Sequence, residues 1–506
     1  MVASGAAATG QAHPQALALT VQASRAVAAG GGSIARMNKL TRPVLLATAL
    51  ACAATGPLSA TAAAPPASAP AALAVPKLPI RTRTLPNGLL LVQIRDADAS
   101  TASVQVWYRV GSKDDPQGRS GFAHLFEHLM FKSTAHMKSE MFDRLTEDVG
   151  GNNNAFTADD TTAYHAVVPP NHVERLLWAE ADRMGQLNVD EANFHSERAV
   201  VEEELRQRVL ADPYGRLFNA IPKVGYLAHP YKRPGIGSIE DLDASSLDDV
   251  RTFYRTYYRP DNAVLIVTGP TDEKQLDAWV DKYFGPLTHP DTPVPRVHVT
   301  EPVRQDSPTV QVTGPNVPLP AIALVWQGPA KSAHDAAALR VAASLLADGD
   351  SSRMHEAMVV RQPLAQTVGF SADLNADAGL LIAYAIAANG KPLPAIDKAM
   401  QAEIARLASR PIPPAELDKV RTRLVTGTLV ERQTPLGQGM AIGDAVISRG
   451  DPEGANRDLA ELQAVTAADV QRVLRQYVVG HPHATIDYTQ DKTPAPVADA
   501  SKKEGQ

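Results

Sequence analysis

Two stretches of the 506-residue sequence repeat one another, and that repeat constrains the fold more than any other feature. Asp249-Val250-Arg251-Thr252-Phe253-Tyr254-Arg255-Thr256-Tyr257 precedes Ala263-Val264-Leu265-Ile266-Val267. Asp469-Val470-Gln471-Arg472-Val473-Leu474-Arg475-Gln476-Tyr477 precedes Ala484-Thr485-Ile486-Asp487-Tyr488. In each, apolar residues recur with helical period, a short turn follows, and an alternating or continuous apolar run then reads as a strand. A helix–turn–strand unit closing both halves predicts a duplicated chain. Segments 89–94 and 102–108 read as further strands, and 173–184 and 336–346 as helices. Mixed elements in both halves predict an α+β fold, built as two homologous α/β-sandwich domains.

Proline and small residues mark the boundaries. Pro286, Pro290, Pro293, Pro295, Pro302 and Pro308 crowd the middle of the chain, where missing donors and fixed φ oppose helix and central strand alike. The expected organisation is an upstream extension and leader over 1–64, a flexible lead-in over 65–80 and a first α+β domain over 81–290. A linker over 291–308, a second α+β domain over 309–490 and a polar, disordered tail over 491–506 follow. The leader has a basic start at Met37-Asn38-Lys39-Leu40-Thr41-Arg42, an apolar stretch from Pro43 to Ala54 and small residues at 59–64. That order predicts a signal peptide starting near Met37 and a periplasmic or secreted protein. Cys52, after Ala49-Leu50-Ala51, offers a weaker reading as a lipoprotein acylation site. Nothing later has the length and apolarity of a membrane helix.

A net charge of −6 gives no reason to expect nucleic acid as a partner. With Cys52 as the one cysteine, a Cys-ligated metal site is excluded, and any metal must sit among histidines and carboxylates. The sequence offers such a set. In His124-Leu125-Phe126-Glu127-His128 a helix would place the two imidazoles one turn apart on one face, able to share an ion, with Glu127 beside them. Leu125, Phe126, Leu129 and Met130 would bury that helix, and buried imidazoles and carboxylates are costly unless a metal or hydrogen bonds satisfy them. A catalytic zinc needs a third protein ligand and an open position. Glu197-Arg198-Ala199-Val200-Val201-Glu202-Glu203-Glu204 reads as a helix on which Glu197 and Glu204, seven apart, share a face, while Glu202 and Glu203 point elsewhere. Helical geometry alone does not choose between a ligand and a solvated acidic face.

The segment from Gly121 to Thr134, with its inverted H-x-x-E-H, resembles the zinc-binding motif of the pitrilysin/insulinase family, which includes the mitochondrial processing peptidase. The likeness continues through Asn154-Ala155-Phe156-Thr157, Glu197 to Glu204, His229-Pro230-Tyr231, Ile236-Gly237 and Phe253-Tyr254. It implies a two-domain half of a clamshell, one zinc per chain held by His124, His128 and Glu204 (204 − 124 = 80 residues on), and Glu127 as general base. It further implies Glu197 as a supporting carboxylate, Asn154 beside the substrate, and a zinc endopeptidase acting on peptides or unfolded segments. Active members carry an Arg and a Tyr seven apart in the second half; the matching positions here are Val359 and Gln366, with Arg361 nearby but no tyrosine. That departure predicts a heterodimer in which a second family subunit supplies the Arg/Tyr pair. The alternative expectation is a non-catalytic binding or scaffold subunit.

Overall fold

The computed structural model describes residues 75–491, and the leader, Cys52 and residues 492–506 lie outside the described residues. The first half forms a six-stranded sheet: β1 (Ile80–Thr84), β2 (Leu90–Arg95), β3 (Ala102–Tyr108), β4 (Asn152–Thr157), β5 (Thr162–Val168) and β6 (Ala263–Gly269), in the order β1-β2-β6-β3-β5-β4. The second half forms a five-stranded sheet: β7 (Thr309–Gly314), β8 (Ala321–Gly328), β9 (Ala365–Leu374), β10 (Gly379–Ala387) and β11 (Ala484–Gln490), in the order β7-β11-β8-β10-β9. With β1 set aside, the two orders are the same. So are the directions: β2–β6 and β7–β11 are parallel pairs and every other neighbour is antiparallel. The duplication expected from the repeat is therefore a duplication of topology.

The repeat itself folds the same way twice. The Leu247–Tyr257 helix runs into β6 and the Ala467–Tyr477 helix into β11. Both begin with a reciprocal cap, Ser246 with Asp249 and Thr466 with Asp469, which satisfies donors the first helical turn leaves open. Helices cover both faces of each sheet, and the inner strands β3, β6 and β10 are buried along their whole length, whereas β11 alternates between buried and half-buried residues.

Each half lends the other a helix. Gly215–Gly225, from the first half, lays Leu217 and Ile221 on Val325, Ile382 and Ile486 of the second sheet. Pro435–Arg449, from the second half, lays Ile442 and Val446 on Trp107, Val264 and Ile266 of the first. The approach of the latter is so close that a Cβ on Gly443 would stand 2.1 Å from the Trp107 ring, so glycine is required there. The proline-rich stretch carries no helix or strand, yet it is tied down. Glu301 accepts from the backbone N–H groups of Ala228 (3.1 Å) and His229 (2.7 Å), fastening the stretch to the chain that leaves the lent helix. Among the described residues, no helix is long and apolar enough to cross a membrane.

Candidate metal centre

The site is built on two helices packed on the first sheet. The motif helix, Phe122–Leu129, buries Phe122, Leu125, Phe126 and Leu129 and leaves His124, Glu127 and His128 on its other side. Gly121 opens it at φ 92°, a left-handed conformation, and a Cβ there would stand 2.8 Å from the Ile236 carbonyl oxygen. Gly121 has no side chain to cap the helix. Asp115 does so instead, accepting from the N–H groups of Gly121 (2.7 Å) and Ala123 (2.8 Å). Burial pushes the Asp115 carboxyl up to about 7, against the pull of those two donors.

The second helix, Glu191–Leu205, is capped by Asp190, which accepts from Asn193 N–H at 2.8 Å. It buries Phe194, Glu197, Val201 and Leu205, a stripe that turns Glu197 and Glu204 towards the motif helix. Glu202 pairs with Arg206 at 3.1 Å and Glu203 accepts from Gln207 at 2.9 Å, so both face away.

Glu204 Oε2 lies 3.6 Å from His124 Nε2 and 3.5 Å from His128 Nε2. The two imidazoles stand nearly perpendicular, 5.0 Å apart at their centres. One ligand atom from each of the three side chains falls within 4.8 Å of the other two. Two imidazole nitrogens and one carboxylate oxygen are zinc-type donors, and ligand separations of 3.5–3.6 Å are near the edge of a tetrahedron with arms of about 2.1 Å. The set fits a zinc ion.

The electrostatics are those of a crowded, half-dry site. Burial and the adjacent His128 lower the His124 imidazole to about 4, so it stays neutral. Burial would lower His128 too, but contacts with Glu197 and Glu204 outweigh it and raise the imidazole to about 9 without metal. Burial works against ionised Glu204 as well, yet His128, His124 and Arg208 hold it at about 2. Glu127 goes the other way: burial lifts its carboxyl to about 7. Two carboxylates in one site are thus driven apart, one kept ionised and one poised near neutrality.

Glu197 lies beneath His128, with Oε2 3.6 Å from Nδ1 and Oε1 taking Lys132 Nζ at 2.7 Å. It orients the imidazole from the side away from Nε2. Asn154 stands on β4, across from His165 of β5, and its Oδ1 accepts from Ala155 N–H at 2.8 Å. Strand alternation puts it on the face opposite Thr157. Val359 is half-buried against the second core, Gln366 is exposed on β9, and exposed Arg361 pairs with Glu356 at 3.5 Å.

Three residues to which the sequence assigned no role complete the centre. Thr157 Oγ1 donates to Glu127 Oε2 at 2.6 Å. Lys132 holds Glu197, and Arg208 pairs with Glu204 from the π-helical turn Arg206–Ala211. Arg208 follows Glu204 by one helical turn, a spacing that could have pointed to it. No local spacing points to Thr157.

A duplicated α+β chain that brings two histidines and a distant glutamate around one point has the build of a metalloprotein centre, and its relatives point to the metallopeptidases. Residues 90–237 match the family model described as Insulinase (Peptidase family M16), and residues 245–424 match Peptidase M16 inactive domain. The zinc protease PqqE of Helicobacter pylori is 30% identical over 409 residues, spanning 80% of this chain and 91% of that one. A probable mitochondrial-processing peptidase subunit beta of Arabidopsis thaliana is 24% identical, spanning 79% of this chain and 76% of that one. The crystal structure of a protease from Helicobacter pylori superposes with a TM-score of 0.78 at 28% identity, covering 81% of this chain and 99% of that one. The chain belongs to the insulinase (M16) peptidase family.

Proposed function

We propose that this chain is a zinc-dependent endopeptidase that cleaves peptides or unfolded segments. The observation that carries the reading is the convergence of His124, His128 and Glu204 on one point, with Glu127, a carboxyl poised at about 7, on the same helix face. Zinc, once bound there, supplies an acidified water and a polarised substrate carbonyl. Glu127 takes a proton from the nucleophile and returns it to the leaving amine, a task suited to a group whose affinity for protons matches neutral pH. Glu197 fixes the orientation of His128. The substrate enters extended: β4 is the outermost strand of its sheet, and a peptide pairing along its outer edge runs past Thr157 and Asn154.

A partner subunit supplies the Arg and Tyr missing at Val359 and Gln366. The relative named as a subunit beta supports this reading. The basic, apolar and small-residue order that starts near Met37 supports a periplasmic or secreted enzyme. The second reading is a binding or scaffold subunit without activity. It is favoured by Val359 and Gln366, and the name of the model matching residues 245–424 points the same way.

The test measures zinc content and cleavage of a quenched fluorescent peptide library, with and without an Arg/Tyr-bearing family subunit. The endopeptidase binds about one zinc, cuts with the partner, and as Glu127→Gln keeps metal but loses cleavage. Zinc-free protein, or Glu127→Gln cutting as well as wild type, refutes the assigned chemistry. Full activity from the chain alone refutes the partner.

A further inference from the structure

We propose that Thr157 is a positioning residue for Glu127, an inference that rests on the base role given to that carboxylate. Thr157 is the last residue of β4, paired with Thr162 across the hairpin. Its hydroxyl carries one proton and faces two acceptors, Glu127 Oε2 at 2.6 Å and the Ala123 carbonyl at 3.4 Å; the shorter contact to a charged oxygen takes it. With Oε2 engaged, Oε1 is the oxygen left for proton transfer.

The donor is anchored from both halves of the molecule. Ala158 N–H donates to the Thr161 carbonyl at 2.8 Å, closing the turn after β4, and Ser112 N–H donates to the Ala158 carbonyl at 3.1 Å. Gly111 lies so close that a Cβ there would stand 2.3 Å from that carbonyl. Two residues beyond Thr157, Asp159 accepts from Ser112 Oγ and from Asn375 Nδ2, each at 2.7 Å. Asp160 accepts from Ala376 N–H at 2.8 Å and pairs with Lys113 at 2.7 Å. Asn375 and Ala376 belong to the β9–β10 turn, the second-half counterpart of the β4–β5 turn. The hydroxyl that meets Glu127 therefore sits on a backbone held by a tip-to-tip junction of the two duplicated hairpins. Glu127 itself is on a side chain with three rotatable bonds in a site that desolvates it, so a fixed donor decides which oxygen faces the reacting atoms.

The experiment compares full-length wild type, Thr157→Val, Thr157→Ser, Thr157→Ala and Glu127→Gln, each with its zinc content measured, under conditions where wild type cuts peptide. Val keeps the shape and removes the donor; Ala covers any packing fault that Val introduces. The expected result is full zinc loading in all, a kcat fall of about 10- to 100-fold in Val and Ala, KM within about threefold of wild type, and recovery in Ser. The inference is overturned if Val and Ala keep wild-type kcat while Glu127→Gln is inactive, if Ser falls as far as Val, or if the loss follows lost zinc. Activity surviving in Glu127→Gln overturns the base assignment instead.

Discussion

Zinc binding by this chain should weaken steeply on mild acidification, because His128 must lose a proton to become a ligand. In the metal-free site Glu197 and Glu204 raise that imidazole to about 9, despite its burial. His124, at about 4, is already neutral, and Glu204, at about 2, is already ionised, so neither changes between pH 8 and 6. One proton then competes with one metal ion. At pH 8 the protonated form leads by roughly 10 to 1 and at pH 6 by roughly 1,000 to 1, so apparent affinity falls about 100-fold, or ~2.7 kcal/mol. Glu127, lifted to about 7 by burial, takes up a proton over the same interval and withdraws a negative charge from beside the cation, which deepens the fall. The assay is competition against a chromophoric chelator calibrated at pH 6, 7 and 8, with calorimetry in two buffers to count the proton released. Glu197→Gln keeps an acceptor under Nδ1 but removes its charge, so His128 titrates lower and the dependence flattens. An affinity constant within about threefold from pH 8 to 6, or no proton release at pH 7, refutes the reasoning.

Other perturbations test the scaffold. Gly443→Ala drives a methyl into the Trp107 ring and should destabilise the protein by about 1–3 kcal/mol in denaturant titration, showing whether the lent helix is integral to the first half. Asp160→Asn removes one of the two carboxylates that hold Lys113 at the junction of the hairpins, Asp377 at 2.8 Å remaining, and should cost about 1–2 kcal/mol, read as a lowered unfolding midpoint. Asp115 has a folded-state carboxyl raised to about 7, so its protonated form is the one the fold prefers. Its contribution to stability is complete below the ordinary carboxylate range of about 4 and is lost as pH rises through 7. Asp115→Asn should therefore gain stability relative to wild type between pH 5 and 8, and a constant difference would refute the shift.

How much of this was legible in the sequence follows from the range of each interaction. The motif helix and the two capped repeat helices are set by contacts within four residues, and period and cap chemistry mark them directly. The shared face of Glu197 and Glu204 is likewise local. What separates their roles is not: Lys132, arriving from beyond the motif helix, takes one oxygen of Glu197, while Glu204 Oε2 is left between the two imidazoles. Thr157 meets Glu127 because β4 is the strand next to the motif helix, a fact of sheet order that no spacing encodes. The exchange of helices is hidden for a related reason. An amphipathic face states that it will be covered and not by what, so Pro435–Arg449 reads the same whichever sheet it covers. Gly439 and Gly443 were the available signal, since two glycines four apart in a helix mark a close approach.

The duplication also explains why one centre, not two, is found among the described residues. Both halves offer the same hairpin, the same edge strand and a helix after the strand that equals β3. In the first half that helix presents His124, Glu127 and His128. In the second, Ala336–Ala347 occupies the corresponding place in the chain order and is buried along nearly its whole length with alanine, leucine and valine. An apolar helix there gives the second sheet a deeper core and leaves it without donors for a metal. The first half accepts the opposite trade: charged groups that desolvation disfavours, held in place by Asp115 at the helix start, Lys132 beneath Glu197 and Thr157 on the edge strand. The second half instead supports the scaffold of the site, through Asn375 and Ala376, which bond Asp159 and Asp160 just beyond Thr157, and through the lent helix behind β3 and β6.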